Sequence, residues 1–151
     1  MKATFAAGCF WHVEDLLSKT KGVKSTQVGY IGGQLPNPTY EEVCTDKTGH
    51  AEAVEVEYNP DEISYETLLD VFWNNHNPTT LNRQGHDVGI QYRSVIFYHN
   101  DEQKEIAEKS KQKLDKSGQY DRPVVTEIVS TPIFYKAEEY HQKYFEKHGF
   151  S

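Results

Sequence analysis

Cys9 sits in the run Gly8-Cys9-Phe10-Trp11, where an opening apolar stretch gives way to helical spacing. A free thiol has a pKa of about 8.5, and a helix N-terminus or a nearby cation lowers it by roughly one to several units. The unpaired N–H groups and the macrodipole at a helix start favour negative charge there. The expectation is a thiol biased toward thiolate, and so a nucleophile. On a helical wheel Phe10, Val13 and Leu17 form an apolar stripe, with Leu16 nearby. Trp11 falls instead with Glu14, Asp15 and Ser18, on the polar face. A tryptophan stranded there beside a helix-start cysteine reads as an apolar wall offered to a substrate. The plainer alternative is a buried cysteine in ordinary core packing.

Glu52 is the second residue whose setting suggests chemistry. Side chains alternate along a strand, so Glu52, Val54, Val56 and Tyr58 share one face, and Ala51, Ala53, Glu55 and Glu57 the other. The first set reads as core-facing and the second as solvent-facing. A carboxylate at the end of an apolar row has its charged form disfavoured by burial. Part of it then stays protonated near neutrality, the state a general acid needs. The alternative is an edge residue leaning into water. His50, next to it, reads as an exposed loop residue.

The elements that must position these groups follow from periodicity and punctuation. Lys2 to Ala7 reads as a buried strand and Phe10 to Thr20 as a helix; Val23 to Ile31 is a strand closed by Gly32-Gly33. Asn37-Pro38 opens a short helical turn, with Asn37 as its cap. Ala51 to Tyr58 is a strand ended by Asn59-Pro60, and Ser64 caps a helix carrying Tyr65, Leu68, Leu69, Phe72 and His76. A polar loop runs from Asn77 to Gln91, longer than most connections, and long loops are often functional. Ser94 to Tyr98 is a central strand, Asn100-x-x-Gln103 a capping box for a helix stopping at Gly118, and Val124 to Val129 a last strand. The aromatic, charged tail from Lys136 to Gly149 forms at least one helical turn. Strands alternating with helices, some of the strands antiparallel, predict an α+β fold: helices packed on a two-layer mixed sheet.

The chain has 151 residues, which predicts a single domain, 1–151. A net charge of −7 argues against nucleic acid or an anionic membrane as the main partner. The basic residues between Lys104 and Lys116 interleave with Glu105, Glu108 and Asp115, a solvated helix face with pairs such as Glu105–Lys109. No stretch approaches transmembrane length, and the start carries no signal-peptide pattern. Two cysteines do not make a disulfide scaffold, so reduced thiols and a cytoplasmic location are expected. No set of metal ligands is built, and no cofactor is called for.

The motifs together resemble the peptide methionine sulfoxide reductases of the A type. The matching residues are Gly8-Cys9-Phe10-Trp11-x-x-Glu14, Gly29-Tyr30-x-Gly32-Gly33 and Pro36-Asn37-Pro38-Thr39-Tyr40-x-x-Val43-Cys44. They continue through Gly49-His50-Ala51-Glu52-Ala53-Val54, Phe72-Trp73-x-x-His76 and Arg83-Gln84-Gly85-x-Asp87-x-Gly89-x-Gln91-Tyr92-Arg93-Ser94. Phe134-Tyr135-x-Ala137-Glu138-x-Tyr140-His141-Gln142-x-Tyr144 closes the series. Each motif alone is weak; in order across nearly the whole chain they are specific. The fold implied is an α+β sheet with a ferredoxin-like plait core.

The resemblance implies that the Cys9 thiolate attacks the sulfur of a methionine S-sulfoxide, free or in oxidised proteins. Glu52 gives the oxygen a proton, while the Tyr40 and Tyr92 hydroxyls hold it. Phe10 and Trp11 would cage the S-methyl group, and Asp87 would orient the site. Cys9 would be left as a sulfenic acid. Many family members resolve that acid with cysteines in a glycine-rich C-terminal tail. Here the sequence closes on Lys147-His148-Gly149-Phe150-Ser151. Thioredoxin or a small thiol could reduce Cys9 directly, Cys44 could resolve it, or a tail beyond Ser151 could carry the resolving cysteine. His12 stands where many members have a small residue, and is expected to face solvent. The rival readings are a Cys–His hydrolase with His50, His86 or His141 as base, a metal protein, and a non-catalytic binding module.

Overall fold

The computed structural model describes residues 1–149. Its strands are β1 (Lys2–Ala7), β2 (Val23–Ile31), β3 (Ala51–Tyr58), β4 (Arg83–Gln84), β5 (Asp87–Val88), β6 (Ser94–Tyr98), β7 (Glu127–Ser130) and β8 (Phe134–Lys136). The helices are α1 (Phe10–Ser18), α2 (Tyr40–Val43), α3 (Tyr65–Asn74), α4 (Asp101–Lys116) and α5 (Tyr144–Lys147), with single 3-10 turns at Ile90–Tyr92 and Glu139–His141. Six strands form one sheet in the order β7-β6-β1-β3-β2-β8, and β4 and β5 pair as a separate small ribbon. β6 and β7 run parallel, and every other neighbouring pair runs antiparallel. The expected α+β class with a mixed sheet is what the chain builds.

β1 is buried on both faces from Ala3 onward, as suits a strand with partners on each side. On one face of the sheet Phe10, Val13 and Leu17 of α1 and Leu68, Leu69 and Phe72 of α3 pack against Phe5, Val28, Val54, Val56 and Ile96. Ala6, Ile31, Ala51, Ala53, Val95 and Phe97 form a second, smaller cluster, with Phe134 packed on it. Ala51 and Ala53 are therefore buried, not facing solvent as alternation suggested. A period of two says which residues share a face, but not whether that face is exposed.

The helix starts show where local chemistry prevailed. Ser64 Oγ accepts from the Thr67 N–H at 3.1 Å and Asn100 Oδ1 from the Gln103 N–H at 2.8 Å, both as expected. The turn after Pro38 begins later than predicted. Asn37 takes a left-handed φ of +49°, and Thr39 is the cap. Thr39 Oγ1 accepts from the Glu42 N–H at 3.2 Å, while Glu42 Oε1 accepts from the Thr39 N–H at 2.9 Å. That reciprocal capping box satisfies two otherwise unpaired donors and outcompetes a lone Asn-Pro start. The strands β4, β5 and β8 lie outside the expected elements, each being only two or three residues long.

Candidate active site

β1 delivers the chain to the site through Gly8, whose φ is +92°. A Cβ there would lie 2.9 Å from Gln84 Cβ and Cγ, so the turn demands glycine twice over. Cys9 follows as the N-cap of α1, its backbone extended and its carbonyl accepting from the Val13 N–H. The side chain is half-buried. Burial first, then the Glu52 charge, push the thiol up to about 11, with Asp87 adding a smaller push. The Trp11 and His12 N–H groups at the helix start pull it down. The helix start thus acts with the expected sign, but burial and two carboxylates outweigh it. In the resting site burial therefore favours the protonated thiol, and the helix start alone does not supply the expected thiolate.

Glu52 lies across the β2–β3 pair from Tyr30 and is 1 % exposed. Its Oε1 accepts from the Phe10 N–H at 3.2 Å, whereas Oε2 is buried with no partner. Burial raises its pKa to about 8; Asp87 adds to this and the Phe10 N–H opposes it. At pH 7 the carboxyl is mostly neutral, so one buried oxygen can carry a proton with no protein acceptor. A general acid waiting for a substrate has that character.

The remaining groups come from two connections, β2 to β3 and α3 to β6. Tyr40 opens α2, with the Cys44 sulfur beside its hydroxyl; burial and Cys44 hold that hydroxyl firmly protonated. Tyr92 ends the 3-10 turn, and burial followed by the charges of Glu52, Asp87, Cys44 and Cys9 does the same there. Asp87 is exposed on β5. Asp46 Oδ1 accepts from the Ile90 N–H at 2.8 Å and ties the Tyr92 turn to the loop after α2. Gly89, with φ +147°, keeps that tie possible: a Cβ there would sit 2.4 Å from Gln91 Oε1 and 3.0 Å from Asp46 Oδ1. Cys9, Tyr40, Tyr92, Asp87 and Cys44 each lie within electrostatic reach of Glu52.

Phe10 is 1 % exposed, its ring centroid 5.7 Å from that of Tyr30 and 6.5 Å from that of Tyr40. It belongs to the core, as its place on the wheel suggested. Trp11 is half-buried, stacked on Tyr144 with centroids 3.7 Å apart, and its Nε1–H donates to His141 Nδ1 at 2.9 Å. The face of α1 expected to be polar is in fact covered. Glu14 is 1 % exposed and accepts from the Lys143 N–H at 2.6 Å and from Thr26 Oγ1 at 2.9 Å. The C-terminal segment lies on that face, and no local pattern in α1 could announce it.

The same segment supplies groups that sequence reasoning left without a role. Glu138 accepts from the Tyr30 hydroxyl at 2.8 Å and from the Tyr40 N–H at 3.0 Å, so it anchors the start of α2. Gln142 bonds both the N–H and the carbonyl of Val28, each at 2.9 Å. These contacts join residues 98 to 130 positions apart, so the motif was visible while its targets were not.

His50 is buried, contrary to expectation: its Nδ1 accepts from the Gly33 N–H at 3.0 Å, and its Nε2 is 2.7 Å from the Leu35 carbonyl. His86 is exposed, and His141 has given its Nδ1 to Trp11. Among the described residues no imidazole is thus placed by a hydrogen bond to serve Cys9 as a base. His12 is exposed, as expected. Among the described residues no three His, Cys, Asp or Glu side chains converge as a metal site, and no helix is long and apolar enough to cross a membrane.

Comparison with known proteins points the same way as the geometry. The chain is 64 % identical over 149 residues to the peptide methionine sulfoxide reductase MsrA of Methanosarcina mazei, covering 99 % of this chain and 71 % of that protein. It is 62 % identical to the MsrA of Methanothermobacter thermautotrophicus, covering 97 % and 86 %. Among solved structures, the reduced form of Mxr1 from Saccharomyces cerevisiae superposes with a TM-score of 0.90 at 37 % identity, covering 100 % of this chain and 87 % of that one. Methionine sulfoxide reductase A of Corynebacterium diphtheriae gives 0.87 at 38 % identity, covering 99 % and 76 %. Mxr1 in complex with Trx2 gives 0.65 at 29 %, covering 95 % and 84 %. The sequence model of the family described as "Peptide methionine sulfoxide reductase" matches residues 1–150. A match of that extent, over a site that pairs a helix-capping thiol with a neutral buried carboxyl, means that this chain belongs to the peptide methionine sulfoxide reductase family.

Proposed function

We propose that residues 1–151 act as one domain that reduces methionine S-sulfoxide, free or in oxidised proteins, to methionine. The observation that carries this is Glu52: a buried carboxyl, neutral at pH 7, with one oxygen unpartnered beside the Cys9 thiol. Sulfoxide sulfur becomes a better electrophile as its oxygen gains a proton. A substrate oxygen accepting from Glu52 and from the Tyr40 and Tyr92 hydroxyls would stabilise the neutral acid and leave negative charge on Cys9. The Cys9 sulfur then forms a bond to the sulfoxide sulfur as Glu52 protonates the oxygen. The S–O bond breaks and the hydroxyl ends on Cys9. The thiol proton leaves to solvent as the thiolate forms, and Glu52 takes one back after the S–O bond breaks, so the sum is balanced: Cys9–SH plus sulfoxide gives Cys9–SOH plus thioether. Trp11 supports an apolar seat for the S-methyl group, with Phe10 behind it in the core. Asp87 acts through its charge on Glu52 and Cys9. A methyl seated on one side and an oxygen held on the other admit one hand of a chiral sulfur.

Regeneration requires two electrons from a dithiol or two thiols. Cys44 is an exposed free thiol that neighbours Tyr40 and Tyr92. Condensation of Cys9–SOH with Cys44–SH would give a disulfide and water. Thioredoxin, the class of reductant suggested by the Mxr1–Trx2 complex, would then reduce it. Mass spectrometry after one turnover without reductant separates the routes. A Cys9–Cys44 disulfide supports resolution by Cys44; a dimedone-trappable sulfenic acid with Cys44 still free assigns reduction to an external thiol. Reduced thiols suit the cytoplasm, the compartment we assign. We also read β1-α1-β2-β3-α3-β6 as a ferredoxin-like plait, on the support of the antiparallel order β6-β1-β3-β2.

The deciding experiment is chiral chromatography of a racemic methionine sulfoxide peptide incubated with excess dithiothreitol. Wild type should consume only the S epimer and Cys9→Ser neither. Untouched substrate under wild type would end the reductase reading.

A further inference from the structure

His76 closes the motif Phe72-Trp73-x-x-His76, and the reaction described above gives it no part. It stands just past α3, half-buried, at the start of the connection that carries Gln84, Asp87 and Tyr92 to the site. Its Nδ1 is 2.6 Å from the Phe72 carbonyl, which can only accept, so Nδ1 holds a proton. Burial pushes the ring's pKa down to about 4 against the opposing pull of that carbonyl, so the imidazole is neutral at pH 7. Nε2 is therefore an acceptor, and at 2.8 Å it takes the Ser94 hydroxyl proton. Ser94 Oγ, its own proton spent, accepts in turn from the Thr126 hydroxyl at 2.7 Å. Ser94 and Thr126 are both buried, so the direction of each bond in this chain is set from the histidine.

His76 stands at one foot of the connection between α3 and β6, and Ser94 at the other. Ser94 lies opposite Ala7 in the β1–β6 pair, so the bond fixes the root of the connection against the strand that leads into Cys9. Asn77, next to His76, gives its N–H to Gln84 Oε1 and takes the Gln84 Nε2–H on its carbonyl, both at 2.9 Å. The Gln84 side chain in turn lies against Gly8. Asn77 therefore sets where Gln84 presses on the turn before Cys9, and where Asp87 and Tyr92 stand beyond it. The outer part of the connection has ties of its own. The Pro78 carbonyl accepts from the Val125 N–H at 2.8 Å, and Asp46 from the Ile90 N–H. The fold does not hang on the His76 bond. On the reductase reading above, we infer that His76 is a positioning residue: its bond to Ser94 clamps the feet of the 77–92 connection and so sets the Tyr92 hydroxyl where it meets the sulfoxide oxygen. A group displaced from that place costs rate even though thiol and acid are unchanged. The bond to Phe72, by contrast, only satisfies a carbonyl of the last helical turn.

Two variants separate the clamp from the helix end. An asparagine amide reaches the position of Nδ1 but not that of Nε2, so His76→Asn keeps a donor for Phe72 and releases Ser94. A glutamine amide reaches the position of Nε2, so His76→Gln offers Ser94 an acceptor and releases Phe72. On an S-sulfoxide peptide, kcat/KM should fall about five- to tenfold in His76→Asn, the worth of one ordinary hydrogen bond, and stay within about twofold of wild type in His76→Gln. In a Tyr92→Phe background, His76→Asn should cost less than about twofold more, because the hydroxyl it positions is gone. A role confined to finishing α3 would reverse the first pair, with the loss in His76→Gln and none in His76→Asn. A general loosening would add in full to Tyr92→Phe. Either result overturns the proposal. Ring 15N–1H spectra of the wild type at pH 7 test it independently of any variant's folding: His76 should carry its proton on Nδ1, and a proton on Nε2 overturns it. A wild type inert on the S-sulfoxide removes the reductase reading and this one with it. An active wild type with kcat/KM indifferent to His76→Asn removes this one alone.

Discussion

Cys9 and Glu52 titrate as a pair, and the order in which they release protons sets the expected pH behaviour. With Glu52 at about 8 and Cys9 at about 11, the resting pair holds both protons at pH 7. The reactive arrangement, thiolate with neutral acid, holds one. In the free enzyme kcat/KM should therefore climb about tenfold per pH unit below about 8 and level off above it. A profile flat from about pH 6 to 9 would contradict this coupling. Glu52→Gln should lower kcat/KM by about 100- to 10,000-fold and move the rising limb upward, toward the value of the thiol alone. The same substitution should stabilise the fold at neutral pH. Glu52 is neutral when folded and ionised when unfolded, so folding takes up a proton. Its contribution is fully present below about 4.5 and is lost as the pH rises through about 8. Glu52→Gln removes that loss, on the order of 1–3 kcal/mol near neutrality. Urea midpoints at pH 5 and pH 8 check it: the wild type should weaken between them by more than the variant.

Two short connections decide whether the site residues meet. Gly8→Ala forces a Cβ into a left-handed turn against Gln84. It should cost at least about 1–2 kcal/mol of stability, read from urea denaturation, and should lower kcat by displacing Cys9. Thr39→Ala removes one half of the capping box over a helix of four residues. Its expected cost is about 1 kcal/mol. So short a helix has no propagation to fall back on, so the loss should appear as faster hydrogen exchange at the Glu42 and Val43 amides and a higher KM through Tyr40. Unchanged exchange there would mean that Glu138, bonded to the Tyr40 N–H, holds the turn alone.

Across the whole molecule, the C-terminal segment is held to the body by a few long-range polar contacts, with Glu14 near their centre. Glu14→Ala leaves the Lys143 N–H without its 2.6 Å acceptor and the Thr26 hydroxyl proton without its own, although Thr26 Oγ1 still accepts from Lys143 Nζ. Hydrogen exchange should rise from Glu138 to Lys147, while α3 and α4 keep their protection; uniform loss would instead indicate global destabilisation. Much of this protein is legible in one dimension, because periodicity, caps and alternation are local. β1, β2, β3 and β6 fall where the sequence places them, Ser64 and Asn100 cap their helices, and Glu52 points into the core at the end of its apolar row. Cys9 at a helix start is equally a local fact. What sequence could not supply is anything set by contact between distant segments. Burial and two carboxylates oppose the helix start at Cys9, a second cluster on the other sheet face buries Ala51 and Ala53, and the tail buries Glu14. The partners of Trp11 and Tyr40 lie 130 and 98 residues away. Local pattern fixes the direction of a side chain; desolvation and partnership depend on what folds over it, and only the tertiary structure decides that.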